Sequence, residues 1–201
     1  MKNSIVIGLT GISGSGKSTV CNLLNAYDVA IIDCDKTART VTEKGSECLR
    51  ELCNQFGEVI LNDDNTLNRK KLAEIAFSSK ENTAKLNSIT HPFIMKKIEQ
   101  TIDNYKSCGK EIIVLDAPQL FEAGADKLCD YTVAILVNQE TALKRILNRD
   151  DISIDTAKNR LNVQFSNDYF KSRADYVIYN DDDMNMLKIE IEKLINNLIN
   201  K

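Results

Sequence analysis

The 201-residue chain contains no tryptophan, one histidine and two prolines, and it has no long hydrophobic run. A membrane-spanning helix needs roughly 20 consecutive apolar residues, so none is expected. The first apolar segment begins at Ile5 and is about five residues long, shorter than the apolar region of a signal peptide. These absences predict a cytoplasmic protein that makes no membrane contact.

Cysteine content and net charge give little support for disulfides, zinc or nucleic acid. The six cysteines include no CxxC pair and are accompanied by a single histidine, so we expect reduced thiols. The formal net charge of −3 predicts no general affinity for nucleic acid. Anionic ligands must then be held by local groups of cations. We expect small-molecule partners and a monomer or small homo-oligomer.

Short apolar segments rich in β-branched residues alternate with helical patterns along the chain. They lack polar–apolar alternation, which is typical of parallel strands covered on both faces. The predicted strands are Ile5–Leu9, Val29–Ile32, Ile112–Leu115, Tyr131–Val137 and Tyr176–Ile178. Helical segments between them supply crossover connections. The sequence thus predicts an α/β fold, a single domain over residues 1–201 with a five-stranded parallel sheet wrapped by helices.

No strand is predicted between about Gly45 and Cys108, where apolar residues recur at helical spacing. This pattern predicts a helical substrate-binding insertion over residues 62–108, placed beside the sheet. One of its helices is predicted to follow Pro92, so that His91 would lie near a helix start. The last helix carries an apolar stripe, residues 187–198, that we expect to pack on the core.

The most specific motif is Gly11-Ile12-Ser13-Gly14-Ser15-Gly16-Lys17-Ser18, which satisfies the phosphate-loop pattern. It follows a predicted strand and opens a predicted helix. Glycines let backbone N–H groups approach phosphate oxygens, while Lys17 would reach the β- and γ-phosphates and the Ser18 hydroxyl would bind Mg²⁺. The residues expected to bind ATP are Gly11, Ile12, Ser13, Gly14, Ser15, Gly16, Lys17, Ser18 and Thr19. No guanine-recognition motif Asn-Lys-x-Asp occurs, which argues against a GTPase switch.

Carboxylates end two of the predicted strands. Asp33 and Asp35 follow the second strand, and ligands of open α/β sheets bind beyond the carboxyl ends of the strands. One carboxylate could accept the proton of an attacking hydroxyl while the other orients metal-bound water. The alternative is that Asp33 caps the next helix and Asp35 is solvated. Asp116 ends the third strand, where it would either bind Mg²⁺ through water or form a local turn.

With these motifs, the chain resembles the dephospho-coenzyme A kinase family of phosphate-loop kinases. The extended loop from Gly8 and the segment Asp33-Cys34-Asp35 with Ala38-Arg39 match the family pattern. Further matches follow in order along nearly the whole chain: Phe56-Gly57, Leu67-Asn68-Arg69, Leu72, Phe77, His91-Pro92-Phe93-Ile94, Pro118-Gln119-Leu120-Phe121-Glu122, Arg145, Arg149-Asp150, Gln164, Ala174-Asp175 and Asn180. Departures occur at Ile12-Ser13-Gly14, Asn68 and Gln119, and none of them alters Lys17, Ser18 or Asp35.

The resemblance implies an ATP- and Mg²⁺-dependent kinase that phosphorylates the ribose 3′-hydroxyl of dephospho-CoA. It also implies a mobile lid, here residues 139–168, and Asp35 as the base for that hydroxyl. Arg145 and Arg149 are four residues apart on one predicted helix face and would reach phosphate oxygens from the lid. The alternative for this pair is a solvated charged face. Arg160 is a weaker candidate of the same kind.

The resemblance places four substrate-binding residues outside the phosphate loop: Asp33, Arg39, Arg69 and His91. Arg69 would hold the diphosphate of the substrate, or else be a solvated residue at a helix start. His91 would lie beside the substrate or have a structural role.

Two other functions stay open from the sequence. The first is another small-molecule phosphate-loop kinase, such as a nucleoside or nucleotide kinase. The second is an ATP-responsive binding protein whose helical block contacts a partner without phosphorylating a small molecule.

Overall fold

The computed structural model describes residues 4–181 and 183–199. The strands are β1 (Ile5–Thr10), β2 (Val29–Asp33), β3 (Ile112–Asp116), β4 (Tyr131–Leu136) and β5 (Tyr176–Tyr179). Each begins at the predicted residue and ends within one residue of the predicted end. The short apolar segments therefore identified every strand of the sheet in the described part of the chain.

Nine α-helices are present in the described residues. They are α1 (Lys17–Leu24), α2 (Cys34–Thr40), α3 (Glu47–Phe56), α4 (Arg69–Ala76), α5 (Lys80–Ser107), α6 (Gln139–Arg149), α7 (Ile154–Asn162), α8 (Asn167–Lys171) and α9 (Met184–Ile199). Short 3₁₀ segments cover Glu58–Ile60 and Ala125–Leu128. None of the helices in the described ranges is both long and apolar enough to cross a membrane.

The chain divides into two compact units. The sheet unit comprises the residues up to Ile32 and from Asn104 onward, and the helical unit comprises Asp33–Asp103. The helical unit begins well before the insertion predicted at residues 62–108. That insertion and the lid at 139–168 stay predictions.

The sheet has the strand order β2-β3-β1-β4-β5, and β1 pairs in parallel with both β3 and β4. The predicted five-stranded parallel sheet of a phosphate-loop kinase is confirmed. Its register places Leu9 beside Asp116 and Thr10 beside Ala134. The carboxyl ends of these strands therefore lie at one edge, where the phosphate loop begins.

Helices cover both faces of this sheet. One core cluster joins Ile7 and Val133 of the strands to Val20 of α1 and to α9, whose predicted stripe is buried as expected. The other cluster joins Leu136 to α6, α7 and α8. Burying each such aliphatic side chain contributes roughly 1.5–3 kcal/mol to the stability of the fold. The two clusters therefore stabilise the sheet and helices between which the phosphate loop lies.

The helical unit has its own core, formed by Cys48, Leu52, Ile60, Leu72 and Ala76. Burial raises the pKa of Cys48 to about 11, so its thiol stays protonated and unreactive. No disulfide joins the six cysteines, all of which lie in the described part of the chain.

The predicted helix start after Pro92 is wrong. Pro92 lies inside α5, which runs without interruption from Lys80 to Ser107. Leu86, Ile89 and Phe93 all pack on the core of the helical unit, at spacings of three and four residues. This apolar stripe crosses the proline, and its packing outweighs the single backbone hydrogen bond that Pro92 cannot donate.

Candidate active site

The phosphate loop connects the end of β1 to the start of α1. Three of its glycines have positive φ angles: 143° at Gly11, 79° at Gly14 and 93° at Gly16. Gly16 is the N-cap of α1 and adopts a left-handed conformation, which costs a glycine nothing. A Cβ at Gly11 would overlap the carbonyl oxygen of Ile135. The loop therefore lies too close to β4 for a side chain at that position.

Lys17, Ser18 and Thr19 occupy the first turn of α1. The Lys17 Nζ donates a hydrogen bond to the carbonyl oxygen of Gly11 at 2.9 Å, which places the ammonium group across the loop. Backbone N–H groups in the first turn of a helix have no partner within the helix. Together with the helix dipole and the ammonium group, they suit a polyphosphate.

Three side chains from distant parts of the sheet unit hold successive residues of the loop. The Gln164 Oε1 accepts a hydrogen bond from the backbone N–H of Ser13 at 2.9 Å. The Arg145 Nη1 donates to the carbonyl oxygen of Gly14 at 3.4 Å. The Asn180 Nδ2 donates to the carbonyl oxygen of Ser15 at 2.7 Å, in a buried environment. The loop backbone is thus oriented by groups outside the motif itself.

Arg145 and Arg149 differ in their surroundings, although both lie on α6. Arg149 forms a bidentate ion pair with Asp150, with Nε–Oδ1 and Nη2–Oδ2 distances of 2.9 Å. Arg160 also pairs with Asp150. Hydrogen bonds from Arg149 and then Arg160 lower the pKa of Asp150 to about 2. In this structure only Arg145 of the predicted pair contacts the phosphate loop.

The oxygen ligands available near the loop suit Mg²⁺. Ser18 is exposed at the start of α1, and the Oδ1 atom of Asp116 is buried at the end of β3. Within the described residues there is no group of three or more His, Cys, Asp or Glu side chains arranged to hold a metal ion. Mg²⁺ is commonly bound through one or two protein oxygens, with phosphates and water completing its shell. Ser18 and Asp116 fit that pattern.

The helical unit carries the remaining predicted residues. Asp33 is the N-cap of α2 and its side chain accepts a hydrogen bond from the N–H of Lys36 at 2.8 Å. Asp35, in the first turn of α2, is exposed. The alternative reading of this acidic pair, a cap and a solvated carboxylate, is therefore the arrangement seen here, and it leaves the Asp35 side chain accessible.

Arg69 begins α4, and its Nη2 donates to the carbonyl oxygen of Arg39 and to the Thr42 hydroxyl, both at 3.1 Å. It thereby satisfies a carbonyl in the last turn of α2. His91 is half-buried in the middle of α5 rather than near a helix start.

Comparison with known proteins places this arrangement in a family. A family model described as dephospho-CoA kinase matches residues 5–185. The dephospho-CoA kinase of Listeria innocua is 37% identical over 194 residues, which cover 96% of this chain and 97% of that protein. The chain belongs to the dephospho-CoA kinase family. The resemblance inferred from the motifs is therefore confirmed.

Solved structures agree with the family assignment. A dephospho-CoA kinase from Campylobacter jejuni superposes with a TM-score of 0.72 at 29% identity, covering 96% of each chain. The crystal structure of TT1252 from Thermus thermophilus gives a TM-score of 0.84 at 26% identity, covering 98% of this chain and 99% of that one. As a member of the dephospho-CoA kinase family, this chain is a kinase that uses ATP.

Two loop-holding residues received no role from the sequence. Gln164 and Asn180 were recognised only as matches to the dephospho-CoA kinase pattern, and neither lies in a motif with a known local geometry. They are separated from their loop partners by 151 and 165 residues. Only the fold shows that they contact the phosphate loop.

Proposed function

We propose that this protein transfers the γ-phosphoryl group of ATP to the ribose 3′-hydroxyl of dephospho-CoA, giving CoA and ADP in the last step of coenzyme A synthesis. The observation that carries the proposal is the family match across residues 5–185. The shape of the phosphate loop supports the nucleotide half of the reaction. No contact in the described residues favours a nucleoside kinase or a non-catalytic binding protein.

The loop and the start of α1 hold the ATP phosphates in this proposal. Lys17 leaves the Gly11 carbonyl and pairs with the β- and γ-phosphates, while loop N–H groups bind the phosphate oxygens. Ser18 and Asp116 would hold Mg²⁺, which would supply positive charge to offset the phosphates. Arg145 already lies against the loop at Gly14 and stabilises charge on the transferred group.

Asp35 acts as the general base. A bond forms between O3′ of the ribose and the γ-phosphorus, the bond from that phosphorus to the bridging oxygen of ADP breaks, and the 3′-hydroxyl proton passes to the Asp35 carboxylate. Two points support this role. Asp35 is the second acidic residue of the Asp33-Cys34-Asp35 family segment, and it is exposed at the start of α2.

Substrate binding is assigned to the helical unit and to the lid predicted at residues 139–168. Arg69 and Arg39 provide positive charge for the diphosphate of dephospho-CoA. Asp33 and His91 are also assigned to substrate binding. Arg149 would have to exchange Asp150 for a phosphate oxygen when the lid closes. We also propose that the protein works in the cytoplasm as a monomer or small homo-oligomer, without a nucleic-acid partner.

The test combines the reaction with one substitution. Purified protein is mixed with Mg-ATP and dephospho-CoA, and ADP release, product mass and the phosphorylated position are followed together. Asp35→Asn should lower kcat by about 10²- to 10⁴-fold, the usual contribution of a general base, while the Kd of ATP changes little. Glu47→Gln is the matched control because Glu47 is an exposed carboxylate in the first turn of α3.

Two results would contradict the proposal. Absence of a phosphorylated product from folded, ATP-binding protein would remove dephospho-CoA as the substrate. Turnover of Asp35→Asn close to that of Glu47→Gln would remove Asp35 from the role of base and leave the reaction itself intact.

A further inference from the structure

Asn180 follows β5 directly and reaches the phosphate loop from the far end of the chain. The residue is buried, and its backbone N–H donates to the carbonyl oxygen of Leu136 at 2.8 Å, which fixes it beside the end of β4. Its Nδ2 donates to the carbonyl oxygen of Ser15 at 2.7 Å. Ser15 is itself completely buried. Water therefore has no access to replace this hydrogen bond.

The hydrogen bond sets the direction of one particular N–H group. In a trans peptide unit the carbonyl oxygen and the following N–H point in opposite directions. Because the Ser15 carbonyl points to Asn180, the N–H of Gly16 points away from Asn180. This N–H lies at the N-cap of α1, among the loop amides that cradle phosphates in proteins with this motif.

The peptide between Ser15 and Gly16 would otherwise be free to rotate. Turning a peptide unit over changes φ of the residue that follows it, and glycine accepts both signs of φ. Gly16 has a φ of 93° here, and no side chain caps the helix that it begins. Gly16 thus permits rotation of the peptide unit that precedes it, whereas phosphate binding requires one orientation of its N–H group.

The absence of a side chain at Gly16 lets the side-chain amide of Asn180 approach the phosphate loop closely. A Cβ on Gly16 would overlap the Nδ2 atom of Asn180 and lie 3.8 Å from the Arg145 Nη1. Only glycine leaves room for Asn180 at this distance. The close approach to Gly16 and the hydrogen bond to Ser15 therefore both depend on the side-chain amide of Asn180.

We propose that Asn180 is a positioning residue for phosphate binding: by holding the Ser15 carbonyl, it keeps the N–H of Gly16 directed at the phosphates of ATP. The inference rests on the proposed placement of ATP on this loop. It assigns to Asn180 an effect on the nucleotide half of the reaction and none on the binding of dephospho-CoA.

The test is Asn180→Asp, which keeps the side-chain shape, removes the donor and sets a carboxylate oxygen against the Ser15 carbonyl. Loss of a buried hydrogen-bonding partner should raise KM for ATP by about 10- to 100-fold. KM for dephospho-CoA should stay within about twofold. Asn180→Ala, which removes the donor without adding charge, is the second variant in case the first does not fold.

Thr132 offers a matched control within the same unit. It is buried near the start of β4, whereas the phosphate loop begins at the carboxyl ends of the strands, and its Oγ1 donates to the Asp175 Oδ2 at 2.8 Å. Like Asn180→Ala, Thr132→Val removes a hydrogen bond of a buried side chain without adding charge. We expect it to lower the Tm while leaving KM for ATP unchanged.

Acid rescue separates positioning from a general structural effect. The carboxyl group introduced by Asn180→Asp regains an O–H donor when it is protonated, and burial raises its pKa. KM for ATP in this variant should therefore recover as the pH falls from about 8 towards 5, unlike KM for ATP in Asn180→Ala.

Several outcomes would overturn the inference. These are a KM for ATP in Asn180→Ala equal to that of Thr132→Val, an equal rise in KM for both substrates, or no recovery of Asn180→Asp at low pH. Failure of the underlying placement looks different: Lys17→Met would then leave ATP binding unchanged in an otherwise native protein.

Discussion

Substitution of Gly14 by alanine tests whether the close contact between the phosphate loop and α6 is needed for activity. A Cβ at this position would lie 2.6 Å from the carbonyl oxygen of Ala142, and 3.0 and 3.2 Å from its Cα and carbonyl carbon. All three atoms belong to helix backbone and cannot turn aside. Carbon–oxygen contacts usually begin near about 3.3 Å, so the loop and α6 would have to separate by about 0.7 Å.

The expected effects differ for stability and activity. The φ of 79° at Gly14 costs a non-glycine residue about 1–2 kcal/mol, which corresponds to a fall of roughly 2–8 °C in Tm for a chain of this size. Displacing the reacting groups by about 1 Å can cost about 10²-fold in rate. For Gly14→Ala we therefore expect a fall of about 10- to 100-fold in kcat/KM for ATP.

Gly109→Ala is the matched control. Gly109 also has a φ of 79°, lies in the same unit, and has no atom within 4 Å of a built Cβ. It should show the fall in Tm without the loss of kcat/KM, both measured by thermal unfolding and a coupled ADP assay. Equal activity in the two alanine variants would refute the argument that the position of the loop against α6 matters.

Two further predictions concern charges near the loop. Gln164→Glu keeps an acceptor for the N–H of Ser13 but adds a negative charge near the ATP phosphates. The Kd of ATP should therefore rise by about tenfold, and the rise should become smaller in high salt. A rise in Kd that does not depend on salt would contradict this electrostatic explanation. The pKa of Asp150 is lowered from 3.8 to about 2 by Arg149 and Arg160, so its contribution to stability is present above about pH 4 and is lost as the pH falls through about 2. Carboxyl NMR should find Asp150 still ionised near pH 3, and Arg149→Ala should move its midpoint upward; a midpoint near 3.8 in the unchanged protein would contradict the ion pairs.

The strands could be predicted from the sequence because their signal is local. Each is a continuous apolar segment, as strands covered on both faces require, and β3 with its buried Ile113, Val114 and Leu115 is an example. The course of α5 could not be predicted from Pro92 alone. There, the proline rule was outweighed by side chains on both sides that pack on the same core.

The site likewise has features that could be predicted from the sequence and features that could not. The phosphate loop is a local motif, and its glycine conformations follow from the sequence. The contacts of Gln164 and Asn180 with that loop depend on the order of the strands, which places residues from the end of the chain beside its beginning. Residue spacing alone does not show which neighbouring charge Arg149 pairs with, and in the structure it pairs with Asp150.

The strand order also has a consequence for biosynthesis. β1 lies between β3 and β4, so its first partner strand begins only at Ile112 and its second only at Tyr131. At roughly 5–20 residues per second, the 165 residues between Ser15 and Asn180 take roughly 10–30 s to be synthesised. The loop lacks the Asn180 contact during that time, and the apolar first strand has no partner strand until Ile112 has been made. Because the Asn180 contact can form only after Asn180 is made, we expect ATP to stabilise a nascent chain that extends through Asn180 more than a shorter one.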